Sequence, residues 1–456
     1  MNHRERSRSG PRRDLLAAAL AVLLVAVAVA AGRAIERADG TLRVNWPPLY
    51  AQWDPHIGPG TPAALAVAVA VVAQGPALAA RLPWRALLVG AWAASTAWIW
   101  SLALIDGWHR GVAERLTTKY EYLQVIDRFA DIPATLRNYT QYILLGEDGA
   151  YHWPAHTAGH PPAAPLTFVF LDRIGLGGGA LAGAFVITVG GTAVVAVLLT
   201  VKALADETSA RRAAPFLVLA PAAVWVGASA DGYFAAVTAW LVALLALAST
   251  RTVRRPAVAA AGAGLLFGLT CYLSYGLTLF AVVVAGVLAV TRNPRPLPFF
   301  AAGALVMPVV FTALGFDWWE AYRLLVERYY QGAGGVRPYG YWVWANLACT
   351  VLAIGLATVA GLRRAGAAAP GAVRRWRAGG ATAADRLVGL VLAALLALLA
   401  ADLSGMSKAE TERIWLPFVT LLVAATALLP ARGRRCWLGA QAVLALAVNH
   451  LLVTGW

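Results

Sequence analysis

Cysteine and charge are scarce in this chain. Of its 456 residues three are cysteine, and Cys271, Cys349 and Cys436 each fall in or at the end of an apolar run, without pairing or metal-like spacing. A disulfide framework and a zinc finger are thereby excluded. Charged residues make up only 13% of the chain against 60% hydrophobic, with a mean hydropathy of +0.64, far more apolar side chain than a water-soluble fold of this length buries. The expected fold class is an all-α polytopic membrane protein in contact with membrane lipids. Negative charge is the scarcer sign, 23 Asp and Glu against 38 Lys and Arg, for a net charge of +15. In a soluble protein that excess would point to nucleic acid. Here the basic residues sit in short pieces between apolar runs, so they read as membrane topology and no nucleic-acid partner is expected.

What the chain has in quantity is apolar stretches suited to crossing ~30 Å of hydrocarbon. Thirteen are expected to span: 15–31, 62–80, 86–105, 178–201, 213–227, 233–248, 257–272, 274–290, 297–315, 341–362, 387–403, 414–429 and 438–454. With a cytoplasmic N-terminus, the tail and the loops on its side hold 24 of the 38 basic residues and 5 of the 23 acidic ones. Every loop in turn obeys this positive-inside asymmetry. The run 15–31 is long for a secretory signal core, so despite Arg12-Arg13 it reads as an uncleaved first helix. The basic stretch 364–384 reads as a flexible loop against anionic headgroups.

Four segments of substance fall on the external face: 32–61, a polar insert at 105–177, 316–340 and 404–413. They carry Trp46, Trp53, Trp108, Trp153, Trp318 and Trp319, suited to the membrane interface and equally to stacking on a sugar; anchoring is the simpler reading for most. In the insert, Tyr120-Glu121-Tyr122 opens an amphipathic helix expected over 120–130, lying on the membrane with Asp127 and Asp131 on its wet side. Glu121 sits close enough to the bilayer for its pKa to rise toward that of a general base. His152, His156 and His160 recur every four residues, which on a helix would make a metal site for a divalent ion, but Pro154 and Pro161-Pro162 interrupt that helix. The apolar segment 166–171 after the prolines is too short to span and reads as a second interfacial helix. Asp231, in Ser229-Ala230-Asp231-Gly232, reads first as a cap for the following helix and second as a substrate contact, and Asp402 as an interfacial acid.

The order of these features resembles the GT-C superfamily of polyprenyl-phosphate-dependent glycosyltransferases, such as protein O-mannosyltransferases and the aminoarabinose transferases of lipid A. The residues that carry the likeness are Tyr120-Glu121, His160-Pro161-Pro162-Ala163, Ala220-Pro221 with Ser229-Ala230-Asp231, and Glu410-Thr411-Glu412-Arg413-Ile414-Trp415-Leu416-Pro417. Tyr120 stands where the family carries aspartate, and Ala163 where it carries leucine. The likeness spans a core at 87–430, with a basic tail and two extra helices in 1–86 and a last helix in 431–456.

The resemblance implies sugar transfer from a polyprenyl-phosphate donor to an acceptor hydroxyl on a glycan, lipid or protein, with inversion at C1. Glu121 is then the base and Asp54, in Trp53-Asp54-Pro55-His56, its substitute. Arg413 would grip the donor phosphate, with Lys408 and His160 as second choices; the plainer role for Arg413 is a salt bridge with Glu410 or Glu412. Tyr122, Asp231, Trp318, Trp319, Tyr329 and Tyr330 would line the acceptor or lipid groove. The preference for Arg over Lys and the alanine content suggest a GC-rich bacterium, its cytoplasmic membrane, and envelope glycans as acceptor. Two rival readings are a lipid-linked sugar flippase or small-solute transporter, against which stand helices nearly free of mid-membrane polar groups, and a catalytically silent scaffold of the same fold, which the absent aspartate at Tyr120 favours.

Overall fold

The structure is a computed structural model that describes residues 3–146 and 149–455, with residues 3–9 described in backbone only. The side chains of Arg4, Arg6 and Arg8 in the basic tail thus lie outside the described residues. All thirteen apolar stretches contain helix. Among the described residues eight helices are long and apolar enough to cross a membrane, and a ninth span arises if Leu297–Ala313 and Trp318–Gln331, bent by 81°, count as one. The others are shorter or more polar: Glu207–Val218, Tyr275–Thr291, Leu416–Leu428 and Arg434–Leu451. The chain is an all-α multi-pass membrane protein, and the figure of thirteen spans goes beyond what these lengths show.

The first helix, His3–Asp39, runs about 55 Å at 1.5 Å per residue. It packs along Tyr339–Arg377, where Tyr341 donates to the carbonyl of Ala28 at 2.9 Å, and it leaves Leu15, Leu16, Leu20 and Leu23 facing outward, as a lipid-solvated helix does. Helix Tyr339–Arg377 is broken once, at Gly355 (φ 78°, ψ 162°). A side chain there would face both a disfavoured backbone region and the side chains of Gln441 and Pro221 at 3.1 Å. The Ala353 carbonyl released by the break accepts from Ala222 N–H at 2.9 Å. The basic stretch expected to be a loop is helical as far as Arg377: its alanines favour helix, and it packs against its neighbours.

The insert folds on itself. The segment expected as an interfacial helix is a 3₁₀ helix, Tyr122–Phe129, and its apolar face of Tyr122, Val125 and Phe129 is buried against helix Ala163–Arg173 rather than laid on lipid. Asp127 and Asp131 do face water, and Asp131 caps the next short helix through Ala134 N–H at 2.9 Å. Trp153, expected at the interface, is 1% exposed. It packs against Phe129, Tyr139, Tyr142 and Tyr151, and its Nε1 donates to the carbonyl of Tyr139 at 2.9 Å. Helix Arg434–Leu451 ends in a strand, β2 (Leu452–Thr454), that pairs antiparallel with β1 (Ala51–Trp53). The loop after the first helix and the last residues of the chain are thereby fixed beside the insert.

Candidate functional site

Four distant segments bring charged side chains together at one end of the bundle. In the insert, His156 N–H donates to the carbonyl of Tyr120 at 3.1 Å, pinning the short helix Ala155–Gly159 beside Glu121. The His156 ring then places Nδ1 3.0 Å from Glu121 Oε1. Arg413 Nη2 lies 3.4 Å from His156 Nε2 and 3.5 Å from Glu410 Oε2, and Nη1 of Arg413 is in short contact with Asp231 Oδ2. The ring thus stands between the two charges, one nitrogen toward the carboxylate and the other toward the guanidinium. All four side chains are buried, so a chain of carboxylate, imidazole, guanidinium and carboxylate is closed off from bulk water.

Local sequence explains how the members are held. Ser229 is the cap of helix Ala230–Thr250, its Oγ accepting from Asp231 N–H at 3.2 Å. The capping role first read for Asp231 therefore falls to Ser229, and Asp231 is free to pair with Arg413. Before Arg413 the backbone passes through Ala409 (φ 73°) and Glu410 (φ 64°), a left-handed pair that non-glycine residues adopt at a cost of about 1–3 kcal/mol each. Arg337, absent from the sequence reading, braces this turn: Nη1 donates to the carbonyl of Lys408 at 2.8 Å and lies 3.4 Å from Glu410 Oε1, while Nε donates to the carbonyl of Leu42 at 3.0 Å.

The electrostatics follow from burial and neighbours. Burial pushes the Glu121 carboxyl up, but the His156 contact, with Arg413 and His160 beyond it, outweighs burial and holds it below the usual carboxylate range. The expected rise toward a neutral-range base is thus corrected: Glu121 is ionised at neutral pH. Burial pulls the Arg413 guanidinium down, and Asp231, Glu410 and Glu121 more than reverse this. Glu412, next in sequence, is fully buried, and burial pushes its carboxyl up to about 7 while Oε1 accepts from Tyr50 N–H at 3.1 Å.

The other expected site residues divide. His160 lies near Glu121, but its Nδ1 is 2.8 Å from the carbonyl of Leu273, and burial lowers its pKa to about 4. A neutral ring whose proton is committed to a carbonyl has no donor left for a phosphate, which corrects that assignment. Lys408 is likewise engaged, Nζ donating to the carbonyl of Gly334 at 2.8 Å. Tyr122 packs beside His156 and His160 and stacks on Phe168. Tyr329 accepts from Lys408 N–H at 3.0 Å, and the ring of Tyr330 sits 5.3 Å from Lys408 Nζ. Trp318 and Trp319 start the same helix, Trp318–Gln331, about 15 Å away at its helical rise. Trp318 donates to the carbonyl of Cys271 at 3.0 Å, and Trp319 is exposed. The two pairs do not line one groove.

Asp54 lines a cavity of about 270 Å³ with Arg43, Gln52, Arg110 and Tyr50, whose N–H donates to Glu412. Beneath it Asp106 meets Arg115 at 2.6 Å and His56 at 3.0 Å, a second charge cluster with no forecast in the sequence reading. Asp402, read as interfacial, is buried and accepts from Asn346 at 2.9 Å. His152, His156 and His160 turn to different partners, and among the described residues no group of three His, Cys, Asp or Glu is poised to hold a metal ion.

The bundle and its buried polar end define a multi-pass, all-α membrane protein with an enclosed cluster of charged side chains. No protein-family model matches the sequence, and no curated protein matches it. Among solved structures the chain is similar to the Archaeoglobus fulgidus oligosaccharyltransferase tethered with an acceptor peptide containing the NVT sequon, with a TM-score of 0.45 and 14% identity over 80% of this chain and 54% of that one. The same archaeal enzyme in complex with Zn and sulfate gives 0.42 and 17% over 80% and 53%. Archaeal oligosaccharyltransferase AglB from Archaeoglobus fulgidus, in complex with an inhibitory peptide and a dolichol-phosphate, gives 0.40 and 15% over 75% and 50%. The chain spans about half the length of these structures. Likeness at this level assigns neither activity nor ligand to this chain.

Proposed function

We propose that the chain is a membrane glycosyltransferase of GT-C type that moves a sugar from a polyprenyl-phosphate donor to an acceptor hydroxyl, with inversion at C1. The observation that carries this reading is the convergence of Glu121, His156, Arg413 and Asp231 in one buried cluster at one end of the helix bundle. Glu121 is ionised and takes the acceptor proton as the acceptor oxygen bonds to C1. The C1–O bond to phosphate breaks with its electron pair on oxygen, and Arg413, permanently cationic, stabilises the charge that develops on the leaving polyprenyl phosphate. His156 keeps the carboxylate and the guanidinium in register, and Asp231 with Glu410 fixes the guanidinium plane. The setting is the bacterial cytoplasmic membrane, with thirteen spans, a cytoplasmic N-terminus and the Glu121 face outward, which the placement of basic loops supports.

The test is Glu121→Gln in membranes supplied with polyprenyl-phosphate sugar. Transfer is expected to fall about 10²–10⁴-fold, the range for a lost general base, while the variant still inserts and folds. Unchanged transfer by a folded Glu121→Gln protein overturns the assignment. A second reading, a catalytically silent scaffold of the same fold, is favoured by one observation: Arg413 is already engaged by Asp231, Glu410 and His156. No transfer by the wild type with any such donor, together with an envelope defect on deletion that Glu121→Gln complements, would select it.

A further inference from the structure

At the end of the bundle opposite Glu121, three helices leave a crevice of about 250 Å³. Its walls come from the end of Phe280–Thr291, the last turns of Tyr339–Arg377 and the start of Ala383–Leu403, and they are built from small apolar residues: Gly286, Ala289, Val290, Ala372, Val388 and Leu392. Trp376, Asp385 and Arg386 also line it. Asp385 is already neutralised, since Arg375 meets its carboxylate at 2.5 and 2.8 Å and Thr382 completes a capping box with it.

Arg386 differs. Among the described residues it enters no ion pair, and its Nε is buried without a hydrogen-bond partner. An Nε–H buried against an apolar wall without an acceptor is costly, and Asp385, the acid that shares the crevice, is taken up by Arg375. A second cation stands nearby: Arg292 lies 4.8 Å from the Trp376 ring, whose Nε1 donates to the carbonyl of Ala289. Free phosphate would satisfy the cations and leave the crevice empty, and a neutral lipid would do the reverse. A molecule with an anionic head and a long apolar tail satisfies both, and the surrounding bilayer contains such molecules.

We propose that this crevice is a binding site for an anionic phospholipid of the bilayer, one acyl chain filling the apolar slot and the headgroup phosphate meeting Arg386. The site is independent of the reading given to Glu121. It is tested by native mass spectrometry of the delipidated full chain with dioleoylphosphatidylglycerol, dioleoylphosphatidylcholine or inorganic phosphate. The wild type retains phosphatidylglycerol more tightly than phosphatidylcholine, and phosphate does not displace it. Arg386→Gln weakens phosphatidylglycerol retention by about five-fold, the effect of one cation beside an anionic headgroup, and Arg386→Lys restores most of it. Ala372→Phe, which fills the slot, lowers retention of both lipids; if it fails to fold, the Arg386 pair decides alone. Equal retention of the two lipids by the wild type, displacement by phosphate, or wild-type retention by Arg386→Gln overturns the proposal.

Discussion

The two ends of the helix bundle both bury acids but pair them differently. At the insert end both partners are sealed: Arg413 and Asp231 have side-chain exposures of 6% and 4%. At the basic end Asp385 and Asp14 are as deeply buried, 4% and 2%, yet their arginines reach solvent, with Arg375 at 45% and Arg363 at 24%. Long arginine stems let a buried acid be neutralised by a charge that keeps its hydration. A pair sealed on both sides has given that hydration up, so it is retained at a cost in stability and each member depends on the other. The insert-end cluster is thus the costlier of the two to keep, whereas the basic end neutralises its acids with charges that stay hydrated.

That contrast sets an order of effects. Asp231→Ala removes the shortest of the anionic contacts to the buried Arg413, leaving Glu410, and is expected to cost about 3 kcal/mol, read as loss of thermal stability in detergent; a loss no greater than that of Arg375→Ala would erase the distinction between the ends. Glu412 gives a pH effect confined to the insert end. Its carboxyl is raised from the ordinary range to about 7, so the folded state holds a proton that the unfolded chain has released. Stability therefore declines as pH rises from about 4.5 through 7 and levels off above, a fall on the order of a few kcal/mol at about 1.4 kcal/mol per pKa unit. Glu412→Gln flattens this slope in melting curves taken across that range. Glu121 acts in the opposite sense: its carboxyl is depressed, so its contribution is complete above its ordinary pKa and is lost as pH falls through the lower folded value. Smallest is Arg375→Ala, expected to shift the melting temperature less than Asp231→Ala, because its partner keeps the Thr382 hydrogen bonds and the exposed guanidinium is well hydrated.

Much of the architecture is legible in sequence because lipid imposes a rule on composition: each apolar run became helix, as backbone groups in hydrocarbon must be satisfied internally. Glu121, Arg413 and Asp231 were visible as ionisable groups beside apolar runs, where a charge needs a purpose. The link between them was not. His156 looked like one of three evenly spaced metal ligands, and only the turn at Pro154 and its backbone bond to Tyr120 aim its ring between Glu121 and Arg413. Arg337 gave no local signal, since a lone arginine in a polar loop resembles any solvated one. The insert misled in another way: the amphipathic face of 122–129 is real, but an aromatic cluster around Trp153 offered it a better partner than lipid.

Composition and periodicity thus settled the helices and their apolar character, because these depend on free energies of transfer that each segment carries alone. Which carboxylate meets which cation, which arginine is left without an anion, and which histidine joins two distant loops were decided in three dimensions. Such contacts span 257 residues of chain between His156 and Arg413 and 349 between Asp14 and Arg363. Their energies depend on burial and geometry that exist only once the helices have packed.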